Sequence, residues 1–271
     1  MDIQRYMMPE GERPLDRIAE GGGFAAIFRS FAVIGDSLSS GEFETLDGRG
    51  AKGYHDLFEH SWGQYMARAM GSLCHNFSRG GMTAKEYMES FAAANSMFDP
   101  RKASQMYILA MGCNDISMAI REGTDLGDMT DIAQDWRNNK PTFAGYFAQI
   151  VSKYKELSPD AKFFFLTMPR SGDDESAGRM PLCERHRELM HEMASHFANA
   201  YVIDLRQYAP EYDAEFERQF YLNGHLNPAG YLLTAKMVMS YIDWIIRANP
   251  EDFSEAGLIL SGFINHKEAI L

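Results

Sequence analysis

Residues 31–41 read Phe-Ala-Val-Ile-Gly-Asp-Ser-Leu-Ser-Ser-Gly. The apolar, partly β-branched run that ends in Gly35-Asp36-Ser37 is typical of a buried strand stopping at the edge of a sheet. The hydroxyl of Ser37 would then lie just beyond the strand. Such tripeptides also form ordinary turns, and a serine becomes a nucleophile at neutral pH only beside a base and an oxyanion site. The stretch therefore indicates catalysis only if the rest of the chain supplies both.

Further apolar runs follow along the chain, separated by helical patterns. The five strand candidates lie at residues 31–35, 73–77, 106–111, 162–168 and 201–205. Because uninterrupted apolar strands alternate with helices, we expect a parallel sheet covered on both faces. The predicted fold class is α/β, a three-layer α/β/α sandwich. We expect one domain over residues 1–271, with an N-terminal arm at 1–28 and a C-terminal tail at 250–271.

The segments between the strands predict capped helices and two irregular regions. Helices are expected at residues 61–70, 83–97, 141–157 and 182–198, and a long one begins at Pro228 with Asn227 as its N-cap. Residues 38–60, rich in Gly, Asp and Glu, are expected to form a loop. Residues 116–140 are charged and are expected to form an irregular surface insertion.

The composition limits which binding partners and which cellular location we expect. The chain has a net charge of −12 and an apolar fraction of 45%, so we expect a globular protein that repels nucleic acid and anionic membranes. No apolar run approaches the length of a membrane span, and no secretory signal is visible near the N-terminus. We therefore expect no membrane insertion and a cytoplasmic location. The three cysteines are widely spaced, which favours reduced thiols.

Polar or glycine-rich residues follow each of the first three strand candidates. The carboxyl ends of parallel strands share one edge of a sheet, where binding sites form. After Ser37, the next strand leads to Gly81, just before a helix whose N-terminus favours an anion. The third strand ends in Gly112-Cys113-Asn114-Asp115, and Asn114 offers a side-chain N–H. Ser37 N–H, Gly81 N–H and the Asn114 amide thus form a candidate oxyanion hole.

His225, immediately before the last helix, is the candidate base, and with it the chain resembles the GDSL, or SGNH, hydrolase family. The resemblance implies Ser37 as nucleophile, His225 as general base, the oxyanion hole named above and a flavodoxin-like fold with five parallel strands. Members of that family are mostly esterases, lipases, thioesterases and carbohydrate deacetylases. Four blocks match in order: Gly35-Asp36-Ser37-Leu38, Asn76 through Gly81 to Thr83, Gly112-x-Asn114-Asp115, and His225 with Asn227 and Gly230.

One departure concerns the residue that orients the histidine. The family usually has an aspartate three residues before it, and here that position is Leu222. The missing carboxylate would fix the tautomer of the base and stabilise its charged form. Three explanations stay open: the backbone carbonyl near Leu222 accepts the Nδ1 proton, an acid from another loop such as Asp213 or Glu215 replaces the aspartate, or the protein has lost activity.

The sequence therefore predicts a serine-dependent hydrolase of a small-molecule, short-chain acyl ester, with an acetylated carbohydrate as the first candidate. Alternatives are an acyltransferase or lysophospholipase-type enzyme on the same scaffold and a catalytically impaired binding protein. No cofactor is expected. No metal is expected either, because His186, His191 and His196 recur every five residues and successive rings would point about 140° apart on a helix. The sequence does not indicate an oligomeric state.

Overall fold

The computed structural model describes residues 7–176 and 178–261. Five of its strands form a parallel sheet in the order β4-β1-β5-β6-β7, which is the flavodoxin-like order, and helices cover both faces. The α/β/α prediction is confirmed. The strands are β1 (Ser30–Gly35), β2 (Glu42–Leu46), β3 (Lys52–Asp56), β4 (Leu73–Ser78), β5 (Met106–Ala110), β6 (Lys162–Leu166), β7 (Ala200–Ile203), β8 (Tyr221–Leu222) and β9 (His225–Leu226).

Within residues 7–176 and 178–261, ten helical segments lie between or after the strands, besides short 3₁₀ turns. The third of them, α3, includes a π-helical turn at Tyr87–Phe91. They are α1 (Ser37–Ser40), α2 (Trp62–Met70), α3 (Ala84–Glu86, Tyr87–Phe91 and Ala92–Ala94), α4 (Cys113–Glu122), α5 (Phe143–Leu157), α6 (Asp173–Ser176), α7 (Met180–His196), α8 (Leu205–Tyr208), α9 (Ala214–Phe220) and α10 (Pro228–Ala248).

Alternation along the central strands divides the core into two layers. On β1, Phe31 and Val33 pack with α2 and α10, whereas Ala32 and Ile34 pack with α3, α5 and α7. All four side chains are fully buried. A strand whose two faces are both covered has no polar face, which explains the uninterrupted apolar run in the sequence.

The helix ends follow the local signals that the sequence contains. The Ser61 side chain accepts a hydrogen bond from Gln64 N at the start of α2, and Gly71 ends that helix with a φ of 64°. Asn227 accepts from Gly230 N at the start of α10. Side-chain caps satisfy N–H groups that lack partners within the first turn, so these boundaries are fixed locally.

The region expected to be a loop at 38–60 instead contains the antiparallel hairpin β2–β3. The Asp47 side chain closes its turn by accepting from Arg49 N and Ala51 N, each at 2.8 Å. The hairpin was missed because β3 has no buried residue and β2 buries only Phe43 and Glu44. A strand with so few buried side chains lacks the apolar alternation that marks strands in a sequence.

The expected irregular insertion at 116–140 begins as a helix. α4 starts directly after Gly112 and ends at Gly123, whose φ is 68°. Only Asp115, Ile116 and Ala119 of this helix are buried. The sequence analysis did not identify this helix because it is short and its few buried residues are mixed with polar and charged ones. Short 3₁₀ turns follow at Met129–Asp131 and Trp136–Asn138.

The chain before β1 packs against α10. The Arg247 guanidinium, almost completely buried, lies 2.6 Å from Glu12 and 2.8 Å from Asp243. Trp244 donates its ring N–H to Glu12 O at 3.0 Å. These contacts tie residues near position 12 to the C-terminal end of α10. Within the described ranges, no helix combines the length and apolar character needed to cross a membrane.

Candidate active site

Strand register brings the three site motifs to one edge of the sheet. Gly35 at the end of β1 pairs with Ser78 on β4 and with Ala110 on β5. The chain therefore leaves all three strands at the same level, as expected for parallel strands. Hydrogen bonds connect the following segments: Ala84 N donates to Asp115 Oδ1 at 3.0 Å, and Arg79 N to Gly35 O at 3.4 Å.

Two of the three predicted oxyanion donors have no partner within the described chain. Ser37 N–H and Gly81 N–H make no hydrogen bond to a described group. Ser37 is half-buried at the start of α1, and Gly81 is exposed with a φ of 71°. The third donor is occupied: Asn114 Nδ2 donates to Met82 O at 3.2 Å and to the Asp36 carboxyl at 3.4 Å. If the longer bond, to the Asp36 carboxyl, is broken, one N–H of Asn114 becomes available to an oxyanion.

His225 lies against two carboxylates that the sequence analysis did not select. Its Nε2 is 3.1 Å from Glu42 Oε1, and its Nδ1 is 3.6 Å from Glu44 Oε2. The Tyr54 ring packs edge-on against the imidazole at 6.0 Å between centroids. Nδ1 is buried and has no hydrogen-bond partner among the residues that the structure describes. The base candidate is thus enclosed by the β2–β3 hairpin.

No hydrogen bond joins Ser37 to His225 among the described residues, and Glu42 is the group that connects their surroundings. The Tyr231 hydroxyl donates to Glu42 O at 2.6 Å and lies 3.5 Å from Ser37 O. The Glu42 carboxylate faces His225 and also reaches the glycine turn, since a Cβ placed on Gly80 would meet it. The segments that carry Ser37, the Gly80-Gly81 turn and His225 are therefore adjacent. The Glu42 carboxylate is close to both the glycine turn and His225 Nε2.

The acceptors suggested for Nδ1 by the sequence are not its partners here. Leu222 pairs with His225 across the β8–β9 hairpin, but its carbonyl accepts no hydrogen bond from Nδ1. Asp213 caps α9 by accepting from Glu215 N and Phe216 N. The Glu215 side chain is exposed and lies near Arg218. A signal was present in the sequence: Glu-Phe-Glu at 42–44 places two acids on one side of any extended segment.

Burial raises the pKa of two carboxyls beneath the site. The pKa of Asp36 is raised from 3.8 to about 6, chiefly by desolvation and despite its bond from Leu38 N. The pKa of Asp115 is raised from 3.8 to about 7, again by desolvation first, with Asp36 adding repulsion. Asp115 Oδ2 is buried without a hydrogen-bond partner, so the neutral acid suits this position better than the carboxylate.

We expect the stability of the protein to fall as pH rises from about 4 to about 7 through these two groups. Their pKa is raised in the folded state, so that state binds more protons than the unfolded chain in this window. Asp115→Asn mimics the neutral acid. The free energy of unfolding, measured with urea at pH 5 and at pH 8, should decrease less in this variant than in wild type. The two decreases should differ by on the order of 2 kcal/mol.

The matched control for that measurement is Asp160→Asn, since Asp160 is an exposed turn residue. It should retain the wild-type pH dependence. An equal loss of stability in wild type and Asp115→Asn would contradict a raised pKa at Asp115.

The histidines of α7 have structural partners. His186 is completely buried, and its Nε2 lies 2.8 Å from Met111 O, just before Gly112. Desolvation lowers the pKa of His186 to about 4, so the neutral ring donates its Nε2–H to that carbonyl and supports the start of the Asn114 segment. His191 Nε2 lies 3.1 Å from Asp204.

A mostly apolar cavity of about 70 Å³ lies beside α1. Its wall includes Asp36 and Leu38, the two neighbours of Ser37 in the chain. By volume it holds about five water-sized atoms. The apolar wall is contributed mainly by the ends of β5 and β6 and by later segments, with Met111, Leu166, Met168, Leu205, Tyr212 and Leu226.

The chain belongs to the GDSL-like lipase/acylhydrolase family. The model of that family matches residues 33–233, a span that includes Ser37, Gly81, Asn114 and His225. The resemblance drawn from four short blocks is therefore confirmed over most of the chain. No curated protein matches the chain in sequence.

Solved structures share the fold at low sequence identity. A family two carbohydrate esterase from Clostridium thermocellum, in complex with cellohexaose, superposes with a TM-score of 0.55 and 15% identity, covering 83% of this chain and 65% of that chain. The acetyl xylan esterase AlAXEase superposes with a TM-score of 0.52 and 16% identity, covering 79% of this chain and 99% of that one. At such identity these similarities establish the fold.

Proposed function

We propose that the protein is a serine-dependent hydrolase of short-chain acyl esters. The observation that supports the proposal is the register of β1, β4 and β5, by which the segments carrying Ser37, Gly81 and Asn114 leave the sheet at one edge. Glu42, which lies against His225 and close to Gly80, connects the base candidate to that edge. Ser37 and Gly81 offer N–H groups without partners in the described chain. Donors aimed at one point, beside a hydroxyl and an imidazole, are the parts that acyl transfer requires.

The reaction proceeds in two steps. His225 Nε2 accepts the Ser37 hydroxyl proton while Oγ attacks the acyl carbon, and the N–H groups of Ser37 and Gly81 with the Asn114 amide stabilise the oxyanion. His225 then returns the proton to the departing alcohol. Water attacks the resulting acyl-serine by the same route, and the carboxylic acid leaves. Glu42 must first move away from Nε2 so that Ser37 can approach it.

The acyl part of the substrate is short in this proposal. The mostly apolar cavity of about 70 Å³ beside Leu38 fits an acetyl to butyryl group. The adjoining groove of about 650 Å³, which shares Leu38 with it, is lined by charged residues such as Arg179 and Glu217 and suits an alkyl chain less well. An acetylated carbohydrate is the proposed natural ester. Support comes from the fold, which is shared with a carbohydrate esterase and an acetyl xylan esterase.

Hydrolysis of 4-nitrophenyl esters from acetate to octanoate tests both parts of the proposal. We expect kcat/KM to fall by about tenfold or more between butyrate and octanoate, since the longer chains exceed the cavity. Acetate release from acetylated xylo-oligosaccharides should accompany the activity. Rates equal to the buffer blank for every ester would contradict the function, and a preference for octanoate would contradict the short acyl group.

A further inference from the structure

We propose that strand β2 supplies the acid that positions His225, with Glu44 as the carboxylate for Nδ1. This inference rests on the proposed function, and it names a residue outside the motifs that the chain shares with its family. Glu44 Oε2 is the charged group nearest Nδ1, at 3.6 Å. It would replace the aspartate expected at position 222. Glu42, at Nε2, is a second carboxylate beside the ring.

Strand geometry places both carboxylates on the same side of the hairpin. Successive side chains of a strand point to opposite faces, so Glu42 and Glu44 share one face of β2 and Phe43 has the other. Phe43 is buried and packs against Tyr231 with ring centroids 5.5 Å apart. With Phe43 anchored in the core, the two acids face the β8–β9 hairpin that carries His225.

Glu44 is held in a buried position as a carboxylate. Its side chain is only 4% exposed, and Lys52 Nζ on β3 lies 2.8 Å from Oε1. The hydrogen bond from Lys52 lowers the pKa of Glu44. Lys52 pairs with Oε1 of Glu44, and Oε2 of the same carboxylate faces the imidazole of His225. A buried acid with one oxygen paired and the other aimed at a histidine is suited to fix the tautomer of that ring.

Two glycines provide space for these acids. A Cβ on Gly224 would lie within 3.0 Å of the Glu44 carboxylate, and one on Gly80 would lie within 3.0 Å of that of Glu42. Neither glycine has a positive φ, so the backbone does not require glycine at either position. A side chain at either position would displace the neighbouring carboxylate from its present place.

The two hairpins are also joined to each other. Asn223 Nδ2 donates to Glu44 O at 2.7 Å. This bond holds the backbone of β2 against the β8–β9 turn, in which Asn223 precedes Gly224. The proposal requires the imidazole to approach Glu44 from the present 3.6 Å to hydrogen-bond distance. With Nδ1–H donated to Glu44 and Glu42 moved away from Nε2, the lone pair on Nε2 can accept the Ser37 proton.

The kinetic test compares Glu44→Gln with Glu59→Gln. Glu44→Gln should lower kcat by about 10²-fold or more with KM changed by less than about threefold, because the acid acts through His225 and not on substrate. Glu59→Gln makes the same change at an exposed glutamate that lies near Arg68, so it should retain activity within about threefold. Glu44→Asp should recover part of the loss. A wild-type rate in Glu44→Gln, or an equal loss in Glu59→Gln, overturns the inference.

The pH profile separates a positioning role from general loss of structure. The titratable groups facing or bordering His225 are Glu42 and Glu44 on β2 and Tyr54 and Asp56 on β3, with Lys52 beside Glu44. Removing the negative charge of Glu44 should move the acidic limb of kcat/KM to lower pH by about half a unit or more. An unchanged limb in Glu44→Gln contradicts a role through the imidazole.

A measurement that needs no turnover keeps this inference separate from the proposed function. ¹⁵N NMR of the imidazole should show a larger share of rings protonated on Nδ1 in wild type than in Glu44→Gln, where Glu42 at Nε2 is the carboxylate that remains. Identical tautomer populations overturn the role of Glu44 even if the protein hydrolyses esters. Absence of ester hydrolysis in wild type, with the expected tautomer change, would overturn the function and leave the positioning of His225 intact.

Discussion

Replacing Ser37 with alanine is expected to lower kcat/KM for 4-nitrophenyl acetate by about 10³-fold or more. The substitution removes the attacking oxygen and leaves the backbone N–H of residue 37, so donors and cavity persist without a nucleophile. Initial rates over a range of substrate concentrations at pH 7.5 provide the measurement. KM should change little, because the hydroxyl contributes to the reaction far more than to binding of the ester.

Ser39→Ala is the matched control for that experiment. Ser39 lies on the same short helix and is almost completely buried, whereas Ser37 is half-buried at the edge of the sheet. Ser39→Ala should retain wild-type kcat within about threefold. A Ser37→Ala enzyme as active as Ser39→Ala would contradict the assignment of the nucleophile.

His225→Ala is expected to cause a loss of similar size. Without the imidazole, no group at Nε2 accepts the Ser37 proton, and Glu42 is left facing a space where the ring had been. The double variant Ser37→Ala/His225→Ala should be no slower than either single variant, since nucleophile and base act as a unit. The kcat of all three proteins, measured with the same ester, checks this expectation.

His191→Ala serves as the control for the base. His191 contacts Asp204 on the opposite side of α7 from His186 and has no contact with Ser37 or His225. It should leave kcat unchanged within about threefold. Losses that multiply in the double variant would show that residues 37 and 225 act independently, contrary to the proposed mechanism.

Those features of the fold that depend on local pattern were predictable from the sequence. The five parallel strands appear as apolar runs because both faces of the sheet are covered. Two helix starts are marked by side chains that accept hydrogen bonds from N–H groups of the first turn, those of Ser61 and Asn227. One helix end is marked by Gly71, which adopts the left-handed conformation there. The order of the motifs then placed Ser37, Gly81 and Asn114 at one edge, where the register of β1 puts them.

The surroundings of His225 were not predictable in the same way. Only Phe43 and Glu44 of the strands β2 and β3 are buried, so these strands carry no apolar alternation. Glu44 meets the imidazole only because Phe43 anchors β2 and Asn223 joins the hairpins. Such long-range contacts cannot be read from spacing, and the search for an acid near position 222 therefore selected Leu222, Asp213 and Glu215 instead.

Covalent labelling with a fluorophosphonate tests the central claim most directly, because these reagents modify serines that an adjacent base has activated. Peptide mapping by mass spectrometry should locate a single adduct on Ser37 in wild type, and labelling should slow by about 10²-fold or more in His225→Ala. Wild-type protein that hydrolyses esters but is not modified at Ser37 would contradict a Ser37–His225 catalytic pair. Equally fast labelling in His225→Ala would contradict it as well.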